Sequence, residues 1–299
     1  MRSLRLGKSA GAGAVLLFIA IAWGTPLYSA ETSVSELAKN THFHGIATHP
    51  ADDAVIYLAT HHGIFVVQSD GIAHRVSEDQ NDYMGFTPHP SNATVLYGSG
   101  HPVDGGNMGF ITSSDGGENW SKLSDGIGGP VDFHQMDISK ADPKTVIGVS
   151  GGLQISRDGG HTWFMVGSVP EGIIDIAASG VDANTFYAAT RNGLMRTTDG
   201  GGTWVPAHTL TRPATLVHAA LGGTLYAFQV GSGLMRTDEA KLRWQLVNDD
   251  FGEAYILHLA IAPDNEDALF AITIDPNTRA QTIIASQDGG ETWTALGEN

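Results

Sequence analysis

Nine of the chain's thirteen histidines fall between residues 42 and 134, and six of them, His42, His44, His61, His62, His101 and His134, are the candidates for shared chemistry. Met84, Met108 and Met136 accompany them, as do the carboxylates of Asp104 and Asp132. Imidazoles with thioethers suit copper, especially Cu(I); imidazoles with a carboxylate suit zinc or another divalent ion. The chain has no cysteine, which removes both thiolate ligands and disulfides. Thirty-two acidic against sixteen basic residues give a formal charge of −16. Such a surface attracts cations and repels nucleic-acid phosphates and anionic lipid, so neither nucleic acid nor a membrane surface is expected as a partner.

Metal chemistry here requires a fold that brings distant stretches together, and a repeated phrase supplies one. It reads Ser113-Ser-Asp115-Gly-Gly-Glu-Asn-Trp120, Ser156-Arg-Asp158-Gly-Gly-His-Thr-Trp163, Thr197-Thr-Asp199-Gly-Gly-Gly-Thr-Trp204 and Ser286-Gln-Asp288-Gly-Gly-Glu-Thr-Trp293. The Asp accepts from backbone N–H groups across a tight turn, the glycines supply positive φ, and the Trp fills an apolar slot as the next strand begins. Weaker copies are Asp70-Gly71, with no Trp, and Asp238, with Trp244 one residue late. The six aspartates are 45, 43, 41, 39 and 50 residues apart. A period near 43, each unit holding several short strands, predicts an all-β fold: a single β-propeller of six four-stranded blades over residues 31–299. Thr294-Ala-Leu296 can supply the last blade's own fourth strand, and Val34 to Ala38 is the alternative closing strand.

The first strand of each blade lines the axis of a propeller. The aspartate turns then open on one face, and the loops between second and third strands open on the other, together with the entries to the first strands. Aligning the first strands places His44 level with Met84 and His134, and His42 level with Asp82 and Asp132. The second-to-third-strand loops of the first two blades carry His61-His62 and His101. All six histidines are therefore expected at one axial mouth. Blades four to six carry Ile174, Val217 and Leu257 at the same level, so the chemistry is one-sided. His49 and His89, each before a proline, belong to turns of the opposite face.

Residues 1–30 combine a basic head, an apolar run from Ala10 to Trp23 and a small residue at Ala30, the pattern of an export signal. The expected location is periplasmic or extracellular. A retained membrane anchor is the alternative, and no later stretch has the length of a membrane helix.

The aspartate phrases resemble those of the Asp-box, or BNR, propeller superfamily, and the likeness covers nearly all of residues 31–299. That group includes sialidases and other exo-glycosidases, the luminal propeller of sortilin-type receptors and photosystem II assembly propellers. The His42-Phe-His-Gly opening and the segment Gly129 to Met136 are similar to exported bacterial proteins labelled glycosyl hydrolases. The resemblance implies the propeller fold and makes a sialidase-like exo-glycosidase one functional alternative. That chemistry needs three arginines around a sugar carboxylate, a Tyr–Glu nucleophile pair and an Asp acid. Arg191, Arg212 and Arg279 lie on the loop-rich face, Tyr83, Tyr255 and Glu253 approach the mouth, and Asp132 with Glu253 is the candidate carboxylate pair. The function expected first is an exported propeller binding copper or zinc, a partner protein, or both at its histidine-rich face, as an assembly or delivery factor. The partner would be another exported or membrane protein. A metal-dependent hydrolase or oxidoreductase is the further alternative.

Overall fold

The computed structural model describes residues 31–49, 52–167 and 169–297; the expected export signal lies outside them. Six antiparallel sheets form a propeller, with strands running in chain order from axis to rim. The inner strands are Phe43–His49, Asp82–Pro88, Gln135–Ile138, Ile173–Ala178, Ala214–Ala219 and Tyr255–Ala262. Each touches its neighbours on both sides, and the sixth touches the first.

Apolar side chains of adjacent blades interdigitate to make the core. Phe110 of blade two and Phe133 and Trp163 of blade three meet in one such layer, with ring centroids 5.2 Å (Phe110–Trp163) and 5.0 Å (Phe133–Trp163) apart. Burying side chains of this size contributes about 1.5–3 kcal/mol each, which is why the Trp recurs at a fixed place. In the second blade's phrase, Asp115 Oδ1 accepts from Ser113 Oγ (2.7 Å) and Asn119 N (3.0 Å), and Gly117 N donates to Ser113 Oγ (2.9 Å). The turns at Asp158, Asp199 and Asp288 repeat these bonds. Gly117 takes φ +96°, a conformation open to glycine. The Trp120, Trp163 and Trp293 indoles each donate to a turn carbonyl, whereas buried Trp204 Nε1 has no hydrogen-bond partner among the described residues.

Strand pairing corrects the fifth phrase. Thr197 faces Phe186 and Arg196 faces Tyr187 in blade four, as Thr237 faces Leu225 and Arg236 faces Tyr226 in blade five. Glu239, not Asp238, therefore occupies the aspartate place, and Trp244 is in register rather than late. The extra methylene carries the carboxylate out of its own turn and into the seam with blade four. There Glu239 accepts from Ser179 Oγ (2.5 Å), Gly180 N (2.8 Å) and Tyr187 Oη (3.1 Å).

The ring closes without a shared strand. Thr294–Ala295 pairs within blade six, while Thr32–Ser33 pairs with Ile72 and Ala73 as a fifth strand at the rim of blade one. The alternative closing segment is instead a helix, α1 (Val34–Asn40), capped by Ser33, whose hydroxyl accepts from Glu36 N at 3.2 Å. α1 drives Val34 and Leu37 into the blade-one/blade-six core beside Phe270, Ile272 and Ile283. At the same seam, Gly71 and Gly297 approach so closely that a Cβ on Gly71 would lie 2.5 Å from Gly297 Cα.

Candidate metal centre

An irregularity near the mouth end of the inner strands places the site. Pairing skips one residue between Phe43 and Gly45 and between Tyr83 and Gly85, leaving His44 and Met84 as the extra residues of two bulges. Equivalent bulges leave Ile174, Thr215 and Leu257 in blades four to six. In blade five the level belongs to Thr215, not Val217. A bulge re-aims the unpaired side chain, here toward the axis mouth.

The histidines resolve into two groups, each completed by an aspartate. In the first, His61 Nδ1 lies 2.7 Å from Asp82 Oδ2 and His44 Nε2 lies 3.8 Å from Asp82 Oδ1. The His44 and His61 rings are 4.2 Å apart, and His42 flanks His61 at 5.6 Å. In the second, His134 Nε2 and His101 Nε2 approach the same oxygen, Asp132 Oδ2, at 2.5 and 3.1 Å. His101 Nδ1 bonds the Gly106 carbonyl at 2.9 Å. A carbonyl only accepts, so Nδ1 carries the proton and a neutral His101 presents the Nε2 lone pair to a carboxylate. Two acceptors in contact require an additional proton or a cation between them.

Charge burial sharpens the contrast between the groups. Burial, reinforced by the neighbouring His61, His258, His42 and His134, pushes His44 down to about 3. His134 moves upward because its hydrogen bond to Asp132 favours the imidazolium, against the opposing effect of burial. His44 Nε2, Asp82 Oδ1 and Asp132 Oδ1 are buried atoms without a hydrogen-bond partner among the described residues.

The other expected participants lie elsewhere. His62 bonds Thr41 Oγ1 through Nδ1 (3.0 Å) and stands off from His61 with ring centroids 6.5 Å apart. Met108 and Met136 are buried in blade cores, and Asp104 is exposed. Tyr83 is fully buried against Trp120, its hydroxyl bonded to both oxygens of Asp79 at 3.0 Å, so it presents no nucleophile at the mouth. Arg212 donates to the Gly231 carbonyl, and Glu253 accepts from Asn277, away from the bonds that engage Asp132.

Sequence reading passed over Asp82 as a ligand, although it stands at the level of Asp132. It also passed over an axial cavity of about 280 Å³ reaching the opposite face, lined by Asp137, Lys140, Asp175, His218 and His258. Asp137 and Asp175 accept from Ala178 N and Val217 N, each stitching its blade to the next. For Asp175 the sequence signal is a single acidic residue inside the otherwise apolar inner strand Ile173–Ala178.

No protein-family model matches the chain, and no curated protein matches its sequence. Solved structures do match. A GH74 xyloglucanase from Xanthomonas campestris superposes with TM-score 0.57 and 18% identity over 89% of this chain and 46% of the enzyme. A structure described as YCF48 bound to D1 peptide gives TM-score 0.51 and 14% identity over 85% and 82%. The extracellular domain of the putative hybrid two component system BT4673 from B. thetaiotaomicron gives 0.55 and 11% over 87% and 33%. The chain thus spans about half the length of the xyloglucanase, and at these identities the likeness is one of fold: the β-propeller.

Proposed function

We propose that the protein binds zinc at two adjacent His₂Asp centres, His44–His61–Asp82 and His101–Asp132–His134, on one axial face of the propeller. The observation that carries this reading is the facing pair His44 Nε2 and Asp82 Oδ1, both buried, neither with a hydrogen-bond partner among the described residues, 3.8 Å apart. Burying such atoms unpaired costs about 1–3 kcal/mol each, and a cation between them removes that cost. Protonating His44 does not, because burial keeps its ring neutral down to about pH 3. A carboxylate in each group favours Zn²⁺ over Cu(I). Met84, equivalent by its bulge to His44, stands at the neighbouring blade's place and is the ligand that would admit copper. Three protein ligands leave a fourth position for water or for a group offered by a partner protein.

An exported binding or delivery role fits the acidic composition, the amino-terminal pattern and the fold's occurrence in an extracellular domain. The fold also occurs in a protein described as bound to a peptide. The sialidase-like alternative is weakened by the burial of Tyr83 and by the separate engagement of Asp132 and Glu253.

Metal analysis of untagged protein, followed by calorimetric titration of the stripped protein with zinc and copper, tests the reading. Zinc binding should vanish in the double variant His44→Ala/His134→Ala and survive in His49→Ala/His89→Ala. Equal binding by wild type and the first double variant would end the proposal.

A further inference from the structure

Beside the mouth, α1 and blade six enclose a groove of about 760 Å³. Its floor is apolar, formed by Val34, Ala38, Ile283 and Leu296, and its rim carries Lys39, Arg279, His42, His61 and His62. No Asp or Glu lines it, although acidic residues outnumber basic ones two to one in the chain. One wall is fixed, since the Gln281 side chain bonds both Phe43 N (2.7 Å) and Phe43 O (3.0 Å).

Arg279 is the group that lacks an explanation. Lys39 is satisfied by Glu36 at 2.9 Å, but the exposed Arg279 guanidinium makes no hydrogen bond or ion pair among the described residues. Its backbone holds φ +65° at the end of the turn closed by Arg279 N and the Asp275 carbonyl (2.9 Å). Glycine fits that conformation freely, and any other residue costs about 1–2 kcal/mol there.

We propose that this groove binds a small amphipathic carboxylate, its anionic head on Arg279 and its apolar body along Val34, Ala38, Ile283 and Leu296. The volume falls within the roughly 300–1,000 Å³ of small-molecule sites. The guanidinium is built to take a carboxylate through two parallel hydrogen bonds. An apolar floor beside the one rim guanidinium that has no carboxylate partner among the described residues selects an anion with a hydrocarbon body over a simple anion or a neutral amphiphile.

Calorimetry on the metal-free protein decides the matter independently of the zinc proposal, with sodium octanoate, sodium acetate and 1-octanol as probes. Octanoate should bind at least tenfold more tightly than either of the others. Arg279→Gln should weaken octanoate at least fivefold, and Arg191→Gln, on another blade, should leave it unchanged. Arg279→Gly should lose octanoate binding equally while melting no lower than wild type, because the strained φ is relieved. Equal octanoate binding by wild type and Arg279→Gly, equal binding of 1-octanol, or no octanoate binding at all would overturn the proposal.

Discussion

Asp82 and His101 are cross-strand partners in blade two, yet their side chains serve different groups: Asp82 joins His44 and His61, and His101 joins Asp132 and His134. One antiparallel pair, with Cα atoms roughly 4.5–5.5 Å apart, therefore links the two candidate centres through the backbone while keeping their side-chain groups distinct.

Asp82→Asn should lower the zinc stoichiometry from two to one, and Asp132→Asn should do the same. The remaining centre should change in affinity by less than about tenfold, since each substitution keeps the strand pairing intact. Calorimetric stoichiometry on the two variants checks this. Loss of both equivalents in either single variant would show one shared centre instead.

On acidification the second centre should release zinc first. A metal ligand must be deprotonated, and the His134 imidazolium is favoured by Asp132 whereas His44 stays neutral down to about pH 3. Titrations between pH 7.5 and 5.5 on the Asp82→Asn and Asp132→Asn proteins should give the steeper loss when only the His134 centre remains.

Glu239→Ala should destabilise the fold by about 3 kcal/mol, because Ser179, Gly180 and Tyr187 all lose a buried acceptor. Asp238→Ala, at an exposed position, should cost less than about 0.5 kcal/mol. Urea midpoints separate the two, and the reverse order would restore Asp238 to the aspartate place.

Stability should fall with pH below about 6. Burial is the leading cause that holds His44, His218 and His258 neutral, at about 3, 3 and 4, so unfolding takes up three protons in this window. Asp175 runs the other way: burial raises it to about 7, so it is protonated in the fold and releases a proton on unfolding. The stability held by the histidines is present above their unfolded values and is lost as pH falls; that held by Asp175 is lost as pH rises toward 7. A net uptake of about two protons near pH 5 corresponds to a slope of about 2.7 kcal/mol per pH unit. Urea unfolding at pH 5 and 6 measures it, and His218→Asn should remove about one proton from the slope.

The propeller was legible because each intact turn needs its Asp, its glycines and its Trp at fixed offsets, and those letters repeat. The equivalence of His44 and Met84 was legible from another repeat, the matching continuations Ile46-Ala-Thr-His and Phe86-Thr-Pro-His of their strands. The division of the histidines into two groups was not, since a bulge at His44 or Met84 changes where a side chain points without changing any letter. Glu239 was hidden by its neighbour Asp238, which carries the expected letter one place early. Tyr83 stood near the mouth in sequence, but only packing against Trp120 and the bond to Asp79 show that it faces the core.

Every blade is woven from one uninterrupted stretch, and the first and last blades meet at their inner strands, at the Gln281–Phe43 bonds, at the Gly71–Gly297 contact and at the α1 seam. As the chain emerges from its amino-terminal side, each sheet can form before the next is made, and closing the circle comes last. All six ligands of the two centres lie between residues 44 and 134. On the proposed zinc reading, each centre would have all of its ligands once the first three blades are made, and the metal would tie those blades to one another before the ring closes.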